Sequence, residues 1–313
     1  MPFSIVPYTD DSPMKPWPAL AEKAFCLKGS PPDNGSLFFF DSPPEDGGET
    51  SPCMVLIHGL GDEADSWRHL VPLLNAKGFR ALALDLPGFG RSVAAGKASL
   101  KNHAAAVLKL LEAVVPGQAV FLAGNSMGAL VAEAAAVQKP ELVKGLILID
   151  GSFPGGPARM GPLALAKLLF SKKWYRSYRE DPEAAWASLY PYYANLNVMP
   201  REDRGFLRER VMARVESPTQ ERAFFATQRS LVWAYMTAAS RFARKIKRYK
   251  GKIRLLWGEN DKIIPLSSAG TFQALRKDIK LEIISGAGHL PHQERPAETA
   301  RLMADFANSP SDF

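Results

Sequence analysis

The run Gly124-Asn125-Ser126-Met127-Gly128 sets a serine between two glycines. It directly follows the apolar run Val120-Phe121-Leu122-Ala123 and directly precedes a helix-forming stretch that opens Ala129-Leu130-Val131. The pentapeptide alone is a weak signal; its place between a strand and a helix makes it a strong one. A sharp strand-to-helix turn lifts the serine hydroxyl above the sheet, and glycine is needed wherever a side chain would collide with neighbouring backbone. The same turn leaves the Met127 N–H at a helix N-terminus, where an unpaired donor can stabilise an oxyanion. A hydroxyl is a poor nucleophile near neutral pH and needs a positioned base. The chain has five histidines, and His289, in Gly286-Ala287-Gly288-His289 just past the last apolar strand, is best placed to be that base. It falls in a loop at the C-terminal edge of a parallel sheet, where sites of open α/β folds gather. His292 opens the helix that follows and is a weaker candidate, while His69 and His103 read as surface helix residues.

His58 ends the first buried strand in His58-Gly59-Leu60-Gly61. It suits a structural role, holding a loop in which the Leu60 N–H is the second oxyanion donor beside Met127 N–H. An imidazole base also needs an acid to fix its tautomer and stabilise its imidazolium. Asp261, in Gly258-Glu259-Asn260-Asp261, is favoured; Asp150, which ends an earlier strand, and Glu259 are the alternatives. The chemistry open to Ser126, His289 and Asp261 is two-step acyl transfer, which calls for neither a metal nor a cofactor.

The elements that must position these residues alternate regularly from about residue 51. Buried strands are expected at 54–57, 80–84, 119–123 and 146–149, with helices at 64–76, 99–114 and onward from the serine to about 138. Short, continuously apolar strands separated by helices predict a mostly parallel central sheet covered by helices on both faces. The rhythm stops at 152. From there to about 250 the chain reads as helices only, and it resumes with strands at 253–257 and 281–284 and a last helix at 296–308. One α/β core, formed by 1–151 and 251–313, is therefore expected to carry a helical insertion over 152–250.

His58-Gly59, the run Asp85-Leu86-Pro87-Gly88-Phe89-Gly90-Arg91-Ser92, the turn from Gly124 to Gly128, Gly258-Glu259-Asn260-Asp261 and Gly288-His289 occur in that order along the chain. In this order they resemble the α/β-hydrolase superfamily, over roughly 50–150 and 250–308. The chain is similar to its capped serine hydrolases. The resemblance implies the α/β-hydrolase fold, a serine–aspartate–histidine triad of Ser126, Asp261 and His289, and an insertion lying as a cap over the site. It makes Asp85 and Arg91 structural. The superfamily's dehalogenases and epoxide hydrolases carry aspartate at the position of Ser126, so the serine argues against both. Hydrolysis of a carboxylic ester is the expected reaction. Thioester hydrolysis and C–C hydrolysis of a diketone-like substrate are the enzymatic alternatives, and a hydrolase-like receptor with little turnover is an alternative of another class.

Composition bounds the partners. In 313 residues, 46% are hydrophobic and 23% charged, ordinary values for a globular chain. No apolar run approaches the roughly 20 residues that span a bilayer. The N-terminal stretch lacks a secretory pattern, and Cys26 and Cys53 read as buried thiols, so a cytoplasmic protein is expected. The net charge of +7 is uneven: residues 155–252 hold 20 lysines and arginines against 8 acids. The basic runs 172–176, 208–210 and 244–248 are either solvated helix faces or a surface for an anionic partner. An acyl carrier, coenzyme A or a phospholipid surface would suit. Nucleic acid is not expected, since no recognition motif accompanies the charge. Many of the insertion's aromatics pack its own helices, and some are expected to line an apolar acyl pocket.

Overall fold

The computed structural model describes residues 3–9, 14–29, 35–152 and 172–310. Nine strands build the sheet: β1 Phe3–Pro7, β2 Ala24–Gly29, β3 Ser36–Ser42, β4 Cys53–Ile57, β5 Arg80–Leu84, β6 Val120–Asn125, β7 Val143–Ile149, β8 Lys252–Gly258 and β9 Lys280–Ile284. They lie side by side in the order β1-β2-β3-β5-β4-β6-β7-β8-β9. From β5 to β9 neighbours are parallel, whereas β1, β2 and β3 join by antiparallel pairing. The sheet is thus mostly parallel, as the alternation of strands and helices implies. Sequence alternation does not announce β1: it is short, bounded by prolines and nowhere fully buried, the pattern of an edge strand.

The strands bury both faces by their period of two. In β4, Cys53, Val55 and Ile57 point into one core layer, and Met54 and Leu56 into the other. Cys26 and Cys53 are free, buried and on opposite layers. One layer is closed by α1 (Leu70–Asn75) and α9 (Pro296–Asn308). The other is closed by α2 (Leu100–Val114), α3 (Met127–Gln138) and α7 (Ser267–Gln273). The helix expected over 64–76 is shorter than its apolar pattern. Residues 64–67 form a 3-10 turn, and α1 starts at Leu70 so that Pro72, which has no N–H, falls in the first helical turn.

Between β7 and β8 the described chain is helical: residues 172–177, α4 (Pro182–Ala187), α5 (Arg201–Glu216) and α6 (Pro218–Arg248). The first part of the expected insertion, 153–171, lies outside the described residues. At 31 residues α6 is the longest described helix, about 46 Å at the standard rise. Its two halves do different things. Gln220 and Phe224 line a cavity above the sheet, while Ala234 and Ile246 pack into the layer of α2 and α3.

This packing overturns one expectation. His103 is not on the surface: it is fully buried, and its Nε2 meets Thr227 Oγ1 of α6 at 2.9 Å. Burial holds its pKa down to about 3. His292 is likewise buried, its Nε2 2.8 Å from Ser66 Oγ, and burial pushes it down to about 3. Both are neutral in the fold and take a proton near the ordinary value of 6.5 once unfolded. Between that value and about 3 the unfolded chain binds more protons, so stability falls as pH falls, by up to about 1.4 kcal/mol per pH unit for each histidine. The stability measured by urea unfolding is expected to drop steadily from pH 7 to pH 4, and His103→Gln is expected to flatten that slope. An unchanged slope in the variant would argue against a neutral His103.

Candidate active site

Ser126 sits at φ 54°, ψ −117°, a left-handed conformation rare for a residue with a side chain. Such strain costs on the order of 1–3 kcal/mol and persists only where the surroundings enforce it. Here they do. A Cβ on Gly124 would lie 2.2 Å from the Gly128 carbonyl oxygen, and one on Gly128 would lie 2.1 Å from the Ile57 carbonyl oxygen. The turn is therefore pressed against α3 and β4, and only glycine fits at either side. Ser126 N–H donates to Ile149 O at 2.8 Å, which ties the turn to the end of β7. Among the described residues, no acceptor meets the N–H of Met127 or of Leu60.

His289 and Ser126 line the same cavity, of about 390 Å³. His289 Nδ1 is 2.8 Å from Asp261 Oδ2, and both side chains are buried. The other Asp261 oxygen, Oδ1, accepts from Ile263 N at 2.7 Å and Ile264 N at 3.0 Å. An Asp261 carboxylate with three donors is fixed in place, and it presents the imidazole with an acceptor on Nδ1, leaving Nε2 for the cavity. Glu259 serves elsewhere, accepting from Ser285 Oγ at 2.8 Å and Gly286 N at 3.0 Å. Asp150 is fully buried close behind: its carboxylate, that of Asp261 and the His289 ring place ligand atoms within 4.8 Å of one another. A metal ion could reach these three, but Asp261 and His289 already spend their donor atoms on each other and on the two N–H groups.

Three anchors hold the histidine loop, and local sequence patterns do not reveal them. Asn125 Nδ2 donates to His289 O at 3.0 Å, so the serine turn and the histidine loop are stapled by one amide. His289 N–H donates to Tyr192 O at 2.8 Å. Glu294 accepts from Gly288 N at 2.6 Å and Ala194 N at 2.8 Å, joining the loop to the helical stretch between β7 and β8. The neighbouring loop is held as its sequence suggests. His58 Nε2 accepts from Leu86 N at 2.9 Å, so the ring proton is on Nδ1, which donates to Gly59 O at 2.7 Å. That arrangement needs a neutral ring, and burial lowers its pKa.

Behind that loop lies a buried ionic cluster. Arg91 pairs with Asp65 and with Asp85, the latter at 2.8 Å, and Asp85 Oδ1 accepts from Ala64 N at 2.7 Å. Burial opposes the charge on Asp85, but Arg91 and its hydrogen bonds prevail and hold the carboxyl below its usual range. Arg210 reaches Glu63 at 3.2 Å, and Arg214 reaches Asp62 at 3.0 Å. The basic run 208–210 is thus neither a solvated face nor a partner surface throughout: Arg210 is buried in this cluster, and Arg208 pairs with Glu183 at 2.6 Å. Arg176 and Arg179 both pair with Glu221, at 2.8 and 2.5 Å. By contrast Arg244, Lys245, Lys247 and Arg248 are exposed at the far end of α6.

The cavity has apolar walls of Leu189, Leu207, Val211, Val215, Phe224 and Ile263. Its polar lining includes Ser126, His289 and the pair Asp62–Arg214. Of the insertion's aromatics, Tyr175 and Tyr192 also line it, whereas Trp233 is exposed. Among the described residues no helix is long and apolar enough to cross a membrane.

The chain is similar in sequence and fold to known hydrolases. The model of the alpha/beta hydrolase family matches residues 54–302. A hydrolase of Bacillus subtilis (strain 168), YugF, is 29% identical over 270 residues, 81% of this chain and 89% of that protein. A 2-hydroxy-6-oxononadienedioate/2-hydroxy-6-oxononatrienedioate hydrolase of Pseudomonas putida is 25% identical over 268 residues, 83% of this chain and 90% of that one. Among solved structures, a bacterial membrane phospholipase A superposes with a TM-score of 0.70 at 27% identity, covering 91% of this chain and 85% of that one.

Proposed function

Because the chain belongs to the α/β-hydrolase family, we propose that it cleaves carboxylic esters through an acyl-enzyme formed on Ser126. The observation that carries this reading is the strained Ser126, set in one cavity with a histidine whose Nδ1 is held by Asp261. In the proposed reaction His289 Nε2 takes the Ser126 proton as the hydroxyl oxygen attacks the ester carbonyl. The oxyanion forms against the N–H groups of Leu60 and Met127, and the alkoxide leaves with the proton that His289 returns. Water then enters, His289 takes its proton, and the acid is released with Ser126 restored. The apolar walls receive the acyl group, and the helices of 172–248 act as its cap. The exposed cations of α6 stand as a site for an anionic carrier or a phospholipid surface, about 30 Å along the helix from Phe224.

A matched series of p-nitrophenyl esters and acyl thioesters of increasing chain length, with a 2-hydroxy-6-oxo dienoate alongside, tests the reading. At about 390 Å³ the cavity is near the small end for ligand pockets, so kcat/KM is expected to peak at short to medium acyl chains and fall beyond. Esters are expected to exceed the dienoate. Faster cleavage of the dienoate would replace the ester reading with carbon–carbon hydrolysis. Such a reading has support in the named substrate of the Pseudomonas relative.

A further inference from the structure

Asp150 directly follows β7 with a φ of 48°, its side chain fully buried behind the Asp261–His289 pair. Its Oδ1 accepts from Gly258 N at 2.8 Å, and its Oδ2 has no donor among the described residues. Asp261 stands beside it with three donors, two backbone N–H groups and the His289 ring. Among the described residues, the titratable groups around Asp150 are Asp261, His289 and, from α8 (Pro291–Glu294), Glu294, and no lysine or arginine is among them. Two carboxylates this close in a dry site do not both ionise. The charge belongs on the oxygens that collect donors, and the proton on the carboxyl that lacks them.

We propose that Asp150 is a neutral carboxylic acid whose Oδ2 hydroxyl donates to the Asp261 carboxylate, making it a positioning residue behind the Asp261–His289 pair. Burial, then the Asp261 charge, raises its pKa well above the ordinary range, consistent with that geometry. With the proton on Asp150, a single carboxylate, that of Asp261, meets the His289 ring at Nδ1. The donated hydrogen bond also fixes Asp261 from the side opposite His289.

This inference rests on the proposed role of His289 as base, but its first test does not. The infrared spectrum of the full chain at pH 7 is expected to contain a protonated-carboxyl band that disappears in Asp150→Asn and persists in Ser126→Ala. Asparagine reproduces the neutral acid, with one acceptor for Gly258 N and one donor for Asp261, and it tolerates the positive φ. Its kcat/KM is expected within about threefold of the unaltered protein, with the acid limb of the pH profile moved by less than about 0.3 unit. Asp150→Gly, which also accepts the backbone conformation, removes the donor. Its acid limb is expected to move up by about half a unit, because Asp261 without that bond attracts the ring proton more strongly. Absence of the band, or an acid limb about one unit lower in Asp150→Asn, would show that Asp150 carries a charge and overturn the proposal. Equal turnover by Ser126→Ala and the unaltered protein would instead refute the hydrolytic reading and leave the band untouched.

Discussion

Ser126→Ala, His289→Ala and the double variant are expected to fall to one common floor, roughly ten-thousand- to million-fold below the unaltered chain in kcat. A nucleophile and its base act as one unit: without the base the hydroxyl stays protonated, and without the hydroxyl the base has no proton to take from it. The second substitution therefore removes nothing further. What survives is the contribution of binding and of the Leu60 and Met127 N–H groups, which need neither side chain. Asp261→Asn is expected to lose somewhat less, on the order of a thousandfold or more, because the ring keeps its place but not its tautomer. Initial rates on the best ester of the chain-length series, with circular dichroism to confirm folding, check all four. Losses that multiply in the double variant would mean that the two side chains act in separate steps.

The second large effect concerns stability. Arg91→Leu is expected to cost about 3–5 kcal/mol, since it leaves the buried carboxylates of Asp65 and Asp85 without their shared cation. Arg91 also lies over the Phe38 ring, 3.7 Å from its centroid, so leucine forfeits that contact as well. Adding Asp65→Asn to Arg91→Leu is expected to recover part of the loss, because the stranded charge rather than the missing contact dominates. Urea unfolding of the single and double variants gives the comparison. If the double variant were less stable than Arg91→Leu alone, the cluster would owe its stability to hydrogen bonding rather than to charge balance. Activity is expected to suffer too, for Asp85 holds Ala64 N in the same loop that carries Leu60.

How much of this was legible in the sequence follows from the range over which each signal acts. Ser126 is announced by five residues and the strand and helix either side. Asp261 and His289 each follow a strand in a local glycine-containing run, so the sheet's own periodicity places them at one edge. The α/β alternation is equally local. His103 is not legible: its burial depends on Thr227, 124 positions away, and an amphipathic helix cannot reveal which of its polar residues a distant helix will cover. Arg210 fails for the same reason, since its partner Glu63 lies on another element and the basic run around it looks uniform. Asp150 is intermediate. The sequence offers it as an alternative to Asp261, and only the geometry shows the two side by side, with opposite shares of hydrogen-bond donors.

The 31-residue helix α6 has a bearing on how this chain could diversify. Roof and foundation are one continuous rod, with Phe224 over the cavity and Ile246 in the core layer. An exchange of the cavity-lining helices between related proteins would have to splice inside that rod. A cut between Phe224 and Thr227 would keep the Thr227–His103 seam and everything below it. Grafts made at the loop before β8 would instead discard part of the packing of α2 and α3. Specificity and foldability are thereby inherited together along a single helix, and a new pocket has to arrive with its lower half already compatible with the old sheet.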